Sequence, residues 1–312
     1  MAPRPTAARL DTELVRRGLA RSRTRAAELV AQGRVSVGGA VAVRASRPVQ
    51  ESEVVAVDVE PGTEYVSRAA HKLVGALDAL DALTGEPPVV VARRCLDAGA
   101  STGGFTQVLL ERGAAHVVAV DVGRGQMAPA IADDPRVSVH EELNVRDLVP
   151  GRLGEAPGLV VADLSFISLT LVLAPLLAVA APAADLLVMV KPQFEVGRER
   201  LGSSGVVTSV QLREESVLRV ASAALALGAE VRAVAPSGLP GETGNREYFL
   251  WLVAPGEAGA ATDERGRPEP EEAEPKGAEL GEAVRRAVRD AVPMLVRRER
   301  ATDRPGTNGA SA

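Results

Sequence analysis

The stretch CLDAGASTGGF, residues 95–105, decides the fold class of this chain. An apolar run at residues 89–96 leads into it and a helical pattern follows, so the stretch is predicted to be a strand-to-helix turn. Glycines there let a ligand approach the backbone, and the free N–H groups of a helix start favour an anion. The spacing is neither Gly-x-Gly-x-x-Gly nor a triphosphate loop ending in Lys-Ser/Thr. The turn therefore predicts a ligand site of another kind.

The rest of residues 90–253 alternates apolar strand-like runs with helical stretches. This rhythm predicts an open, mostly parallel α/β sheet, with ligands at the carboxyl ends of its strands. The candidate strands are residues 89–96, 117–120, 159–162, 186–190, 231–234 and 248–253.

Two acidic residues define which ligand the turn suits. Asp97 lies beside the turn, and Asp121 ends the next strand, 22 residues after Gly99. In doubly wound folds a carboxylate at that place holds ribose hydroxyls. S-adenosylmethionine combines a carboxylate, an amine and a ribose, so it fits this set. A nicotinamide cofactor and a purely structural glycine turn are the alternatives.

The amino-terminal 50 residues are strongly basic. They hold ten arginines against Asp11, Glu13 and Glu28, a net charge of +7, which leaves −12 on the rest of a chain of net charge −5. Helices over residues 9–17 and 22–32 and a hairpin over 35–43 are predicted, with turns at glycines. The basic surface has no aromatic residues, so it suits the phosphates and shape of structured RNA; a solvated basic helix pair is the alternative.

Lysine is rare in this chain. Three of the 36 basic residues are lysine, namely Lys72, Lys191 and Lys276, and the other 33 are arginine. Lys191 follows a strand, as does Asp163, Lys72 lies at the junction between the basic segment and the sheet, and Glu247 precedes the last strand; the chain's seven aromatic residues all lie near these segments. Arginine stays protonated, whereas a buried lysine can lose its proton near neutral pH. Two of three lysines in such segments indicate a chemical role, with coincidence as the competing explanation.

Several other features limit the classes of function that this chain could have. Residues 166–184 are uncharged over a bilayer-spanning length, but Pro175 and Pro182 interrupt them, so a buried helix, a turn and a strand are predicted instead. The single cysteine, Cys95, excludes an internal disulfide, and the amino terminus lacks the apolar core of a signal peptide. Residues after Ala254 are acidic and rich in Pro, Gly and Ala, which predicts a disordered tail with one possible basic helix over residues 280–298.

The motifs together resemble one family. EYVSRAAHKLVGALDAL, the stretch starting CLDAGASTGGF, VVADLSFISL, VKPQFEVGRERLG and GNREYFLWL are similar to the TlyA family, whose members are named both haemolysins and ribosomal RNA 2′-O-methyltransferases. The resemblance covers residues 9–253. It implies a Rossmann-like class I S-adenosylmethionine-dependent methyltransferase sheet of the FtsJ-like type, preceded by a small α+β RNA-binding domain. The implied domains are residues 1–62, residues 63–255 with an interdomain linker at 63–72, and the tail at 256–312.

The resemblance also implies site residues, partners and location. The implied cofactor is S-adenosylmethionine, and the implied partners are ribosomal RNA or ribosomal subunits. The implied location is the cytoplasm, with no metal site and no stable membrane association. Departures from the family pattern at Arg124, Pro129 and residues 141–144 fall on the adenosine side of the cofactor. A membrane-lytic protein, a non-catalytic RNA-binding factor and a nicotinamide oxidoreductase are the competing functions. The chemistry of lysine makes Lys191 the hypothesised base, and the sequence leaves open which lysine is neutral. The implied residues are Lys72, Asp163, Lys191 and Glu247 for catalysis; Asp97, Gly99, Ala100, Ser101, Thr102, Gly103, Gly104, Phe105, Asp121 and Asn144 for the cofactor; and Arg9, Arg16, Arg21, Arg23, Arg25, Arg34 and Arg68 for RNA.

Overall fold

The computed structural model describes residues 8–17, 19–20, 23–57, 65–256 and 276–296. The chain divides into two compact units between Glu64 and Tyr65. They are called here the amino-terminal unit, residues 8–57, and the sheet unit, residues 65–256 and 276–296.

The amino-terminal unit is a helix pair beside short strands. The two predicted helices and the hairpin are confirmed, and its apolar core is formed by Leu10, Leu14, Leu29, Val35 and Val37. The hairpin strand β2 pairs with both β3 and β5, while β1 pairs with β4. The elements are β1 (Ala8–Arg9), α1 (Leu10–Arg16), α2 (Arg23–Ala31), β2 (Val35–Val37), β3 (Ala40–Val41), β4 (Pro48–Val49) and β5 (Val55–Val57).

The sheet unit is built on eight strands in the order β13-β11-β12-β10-β9-β6-β7-β8. The strands from β8 to β10 are parallel, and β12 runs antiparallel to both of its neighbours. The predicted α/β class is confirmed, and β8 and β13 add to the six predicted strands. The first of the six was predicted to start too early: residues 91–92 form a turn, Val89 and Val91 are exposed, and the strand begins at Arg94. The strands are β6 (Arg94–Ala98), β7 (His116–Val120), β8 (Val137–His140), β9 (Leu159–Ala162), β10 (Asp185–Val190), β11 (Glu230–Pro236), β12 (Tyr248–Val253) and β13 (Met294–Leu295).

Helices cover both faces of this sheet, since its central strands are buried on both sides. One apolar cluster joins α3 and α4 to one face, and the other joins α6, α8 and α9 to the opposite face. Strand order reverses between β6 and β9, and open α/β sheets bind their ligands at the carboxyl ends of the strands at such a point. The helices are α3 (Ala69–Thr84), α4 (Gly104–Glu111), α5 (Pro129–Ala132), α6 (Leu173–Val179), α7 (Pro192–Glu195), α8 (Val210–Ala226) and α9 (Lys276–Asp290).

The carboxyl-terminal helix differs from the sequence expectation. It ends at Asp290, and its buried face, including Leu280, Val284 and Val288, belongs to the apolar cluster of the sheet. Strand β13 then pairs with β11. Residues 276–296 are therefore a packed part of the sheet unit and not a separate tail, because the apolar residues of α9 recur at helical spacing. The acidic residues 257–275 lie outside the described part of the chain.

Candidate active site

The glycine turn, residues 99–104, connects β6 to α4 at the carboxyl end of β6. Gly99 and Gly103 have φ values of 85° and 92°, a region that favours glycine. A Cβ on Gly99 would lie 2.7 Å from the backbone oxygen of Asp163, so the turn packs directly against the residue that follows β9. Asp121 fixes the turn, because its carboxylate accepts hydrogen bonds from Ser101 N at 2.8 Å and from Gly123 N at 2.7 Å.

Asp97 is a fully buried carboxylate behind this turn. Its Oδ2 accepts a hydrogen bond from Thr106 Oγ1 at 2.7 Å, while its Oδ1 has no partner among the described residues. Burial raises the pKa of Asp97 to about 7, and the nearby charges of Asp163 and Asp121 act in the same direction against the Thr106 bond. A buried carboxylate oxygen without a partner is suited to a cationic ligand group. Sequence reasoning did not include Thr106.

The four predicted catalytic residues form two buried ion pairs. Lys72, on α3, donates to Glu247 Oε2 at 2.6 Å. Nζ of Lys191 lies 2.6 Å from Oδ1 of Asp163 in an ion pair. All four side chains are at most 14% exposed. Among the described residues, no hydrogen bond or ion pair joins one pair to the other, so the four residues stand as two separate pairs.

The sheet explains how three of these residues reach one edge. Asp163 follows β9 and Lys191 follows β10, which are parallel neighbours. Glu247 precedes β12, which is antiparallel to β10 with Tyr248 opposite Val190, so the start of β12 lies at the edge where β10 ends. The positions of these residues thus follow from strand direction.

The loop after β9 adds groups that the sequence did not single out as site residues. Ser165 Oγ accepts a hydrogen bond from Lys191 Nζ at 2.9 Å. Phe166 has a φ of 64° and a side chain that is 92% exposed. Its ring centroid lies 5.2 Å from that of Phe194, whose ring lies 6.0 Å from Lys191 Nζ. An exposed aromatic ring in a strained backbone conformation therefore stands beside the Lys191 pair.

The remaining predicted cofactor residues have mixed surroundings. The Phe105 ring is 3% exposed and stacks on Phe249, so only its backbone can face a ligand. Ala100 is buried and Thr102 is half-buried in the turn. Asn144 is exposed and accepts a hydrogen bond from Arg146 N, which starts a short 3₁₀ helix.

The predicted RNA-binding arginines of the amino-terminal unit are held by buried acids. Asp11 accepts hydrogen bonds from Arg9 at 2.9 Å and from Arg23 at 3.1 Å, and the Arg9 bond is the main cause of a carboxyl pKa well below its usual range. Glu13 binds Arg16 at 2.7 Å, which lowers the pKa of Glu13 to about 2. The guanidinium groups are thus fixed, with Arg9 and Arg23 more than half exposed. Arg21 and the side chain of Arg25 lie outside the described residues, Arg34 is half-buried, and Arg68, in the sheet unit, donates to Pro240 O at 3.0 Å.

Comparisons with known proteins assign the family. A model described as FtsJ-like methyltransferase matches residues 65–254, and an S4 domain model matches residues 8–55. The chain is 54% identical over 245 residues to the 16S/23S rRNA (cytidine-2′-O)-methyltransferase TlyA of Mycobacterium tuberculosis, with 78% of this chain and 89% of the relative covered. The chain belongs to the TlyA family.

Two proteins named as hemolysins are also similar to this chain. Hemolysin A of Brachyspira hyodysenteriae is 32% identical over 248 residues, covering 78% of this chain and 99% of the relative. A solved structure of a protein named a hemolysin, from Streptococcus thermophilus, superposes with a TM-score of 0.61 at 30% identity, over 91% of this chain and 96% of that one. In the parts of this chain that the structure describes, no helix has the length and apolar character needed to cross a bilayer.

The TlyA-family chain is an S-adenosylmethionine-dependent methyltransferase, and its residues fit that cofactor. The unpartnered Oδ1 of Asp97 suits an ammonium group, the backbone of the glycine turn suits a carboxylate, and Asp121 lies at the place of a ribose acceptor. Within the described residues, no three His, Cys, Asp or Glu side chains group as metal ligands.

Proposed function

We propose that this chain transfers a methyl group from S-adenosylmethionine to the ribose 2′-oxygen of cytidine in ribosomal RNA. The observation that carries the proposal is the contact between the two halves of the site. Gly99, in the cofactor turn, lies against the backbone of Asp163, whose carboxylate pairs with Lys191. A hydroxyl held near Lys191 is therefore close to a methyl donor held on the turn, as transfer requires.

The proposed catalytic residues are Lys72, Asp163, Lys191 and Glu247. The cofactor supplies an activated methyl group, so this chain has to orient the hydroxyl and accept its proton. Lys191 is the proposed base, because Asp163 and Ser165 fix its Nζ beside the cofactor turn and because lysine, unlike arginine, can exchange a proton. Lys72, held by Glu247, is proposed to supply a positive charge that stabilises a developing oxyanion.

Phe166 supports a nucleoside substrate. Its exposed ring stands beside the Lys191 pair and can present a flat apolar face to a base that has been drawn out of its stack. Such a contact orients the ribose without reading the sequence.

The amino-terminal unit supports ribosomal RNA as the partner. It matches an S4 domain, its arginines are held in place by Asp11 and Glu13, and the closely similar relative is named for methylation of 16S and 23S rRNA. Fixed guanidinium groups bind phosphates with less loss of side-chain freedom. Cytidine as the nucleoside and the ribosomal subunits as partners are proposed for this chain from the name of that relative. Ribosomal RNA as substrate implies a cytoplasmic site of action.

The test is to map 2′-O-methylation on ribosomal RNA from cells with and without this gene. We expect at least one cytidine in 16S or 23S rRNA to lose its 2′-O-methyl group in the deletion strain. The wild-type gene should restore it, and the Lys191→Arg variant should not. Identical methylation maps in the two strains would contradict the proposal, and restoration by the variant would assign the chain a non-catalytic role.

A further inference from the structure

Glu195 is a buried carboxylate at the end of α7, four residues after Lys191. Glu195 is 3% exposed. Oε2 accepts a hydrogen bond from Ser168 Oγ at 2.6 Å, and Oε1 accepts one from the backbone N–H of Leu169 at 2.8 Å. Burial raises the pKa of Glu195, and the two bonds oppose that rise.

These bonds attach the loop after β9 to the segment after β10 at a second point. The β9 loop, residues 163–169, is already joined to Lys191 through Asp163 and Ser165. Glu195 holds the other end of the same loop through Ser168 and Leu169. Lys191 and Glu195 thus bracket the loop from one short stretch of chain.

Phe166 lies between the two attachment points in an unfavourable backbone conformation. Its φ of 64° is one that L-residues adopt rarely, and it persists only where the surroundings hold it. A loop fixed at both ends supplies that constraint. Loss of one end should let Phe166 relax and let Asp163 and Ser165 move away from Lys191.

We propose that Glu195 is a positioning residue that sets the geometry of the Lys191 pair by holding Ser168 and Leu169. This inference rests on the proposed function for its activity readout. Displacing a reacting group by about 1 Å is enough to lower a rate about 100-fold, so a tether of this kind controls the rate without touching the substrate.

The first experiment compares Glu195→Ala, which removes both acceptors, with Glu195→Gln, which keeps an acceptor for Leu169 N. Glu214→Ala is the matched control, since Glu214 is also buried in the sheet unit but bonds to Arg289 at 2.7 Å. We measure kcat for methyl transfer to ribosomal RNA and the Kd of S-adenosylmethionine. We expect Glu195→Ala to lower kcat by about 10- to 100-fold with cofactor Kd within about twofold, and Glu195→Gln to lose less.

A double-mutant cycle separates positioning from general destabilisation. If Glu195 acts through Ser168, the effects of Glu195→Ala and Ser168→Ala on kcat are far from additive, whereas independent losses of stability add. Wild-type kcat in Glu195→Ala, additive effects in the cycle, or an equal fall of kcat in Glu214→Ala would overturn the inference.

Amide hydrogen exchange tests the tether without any activity assay. We expect faster exchange in peptides covering residues 163–169 of both Glu195 variants, with unchanged exchange in β9 itself. Unchanged exchange in the loop would overturn the inference even if the enzyme were active. If the wild-type chain methylated no RNA, the proposed function would fail, and loop exchange alone would decide the role of Glu195.

Discussion

Removing one member of the Lys72–Glu247 pair should destabilise the sheet unit strongly. The two charged atoms are 2.6 Å apart, and the side chains are 8% and 2% exposed. Coulomb's law with an effective dielectric constant of about 20 gives an attraction of about 6 kcal/mol at that distance. Desolvation offsets much of this attraction, but a single substitution leaves the partner charge buried and unpaired, which costs about 3–5 kcal/mol. We therefore expect Glu247→Gln and Lys72→Met each to lose that amount of unfolding free energy.

The double variant Lys72→Met/Glu247→Gln separates stability from chemistry. With no unpaired buried charge left, it should recover most of the lost stability, yet it should not transfer methyl groups. The assay is urea unfolding followed by the fluorescence of Trp251, the single tryptophan of the chain, which lies on β12 and is 3% exposed. The fluorescence of Trp251 therefore reports the unfolding of the sheet unit.

Either of two results would refute this reasoning. Single variants within about 1 kcal/mol of the wild type would mean that the pair is not buried and coupled as described. A double variant as unstable as the singles would mean that packing, and not charge, controls the loss.

Three further predictions concern other parts of the chain. Gly99→Ala should weaken cofactor binding at least tenfold by calorimetry, because its Cβ meets a backbone oxygen at 2.7 Å. The control is Gly85→Ala, since Gly85 also has a positive φ but has open space around it. An equal effect of the two substitutions would contradict the steric argument. Asp97, with a folded pKa of about 7 against about 3.9 when unfolded, binds its proton more tightly in the folded state, so unfolding free energy should fall by up to about 4 kcal/mol from pH 4 to above 7. Asp97→Asn should lose this slope, and an unchanged slope would assign it to other groups. Asp11→Asn should weaken RNA binding in filter assays although it makes the chain more basic, because it frees two arginines; tighter binding would show that net charge alone governs affinity.

Three of the four proposed catalytic residues could be placed together from the sequence, because strand direction brings Asp163, Lys191 and Glu247 to one edge of the sheet. Asp163 and Lys191 each follow an apolar strand, and the ends of parallel neighbours meet. Glu195 and Ser165 could not be assigned in this way. Their roles depend on the path of an irregular loop that packs against α7. Hydrophobic periodicity predicts helices and strands, but it does not predict the path of such a loop.

Packing of the carboxyl-terminal helix was also beyond the sequence prediction. The acidic composition of residues 257–275 suggested that everything after the last strand was a tail, but the apolar stripe of α9 completes one face of the sheet. Likewise, the sequence shows Asp11 and Glu13 only as two negative charges in a basic segment. In the structure they lie buried against the arginines that they hold, a relation that composition does not reveal.

Lys191 is proposed to accept the proton of a ribose hydroxyl beside bound S-adenosylmethionine. The direct measurement is single-turnover methyl transfer from labelled cofactor to ribosomal RNA by the purified wild-type chain and by Lys191→Arg, with the cofactor Kd of both. We expect 2′-O-methylated RNA from the wild type, and at least a 100-fold slower transfer by the variant at similar cofactor affinity, because arginine keeps the charge but cannot take up a proton. Wild-type rates in Lys191→Arg would contradict it.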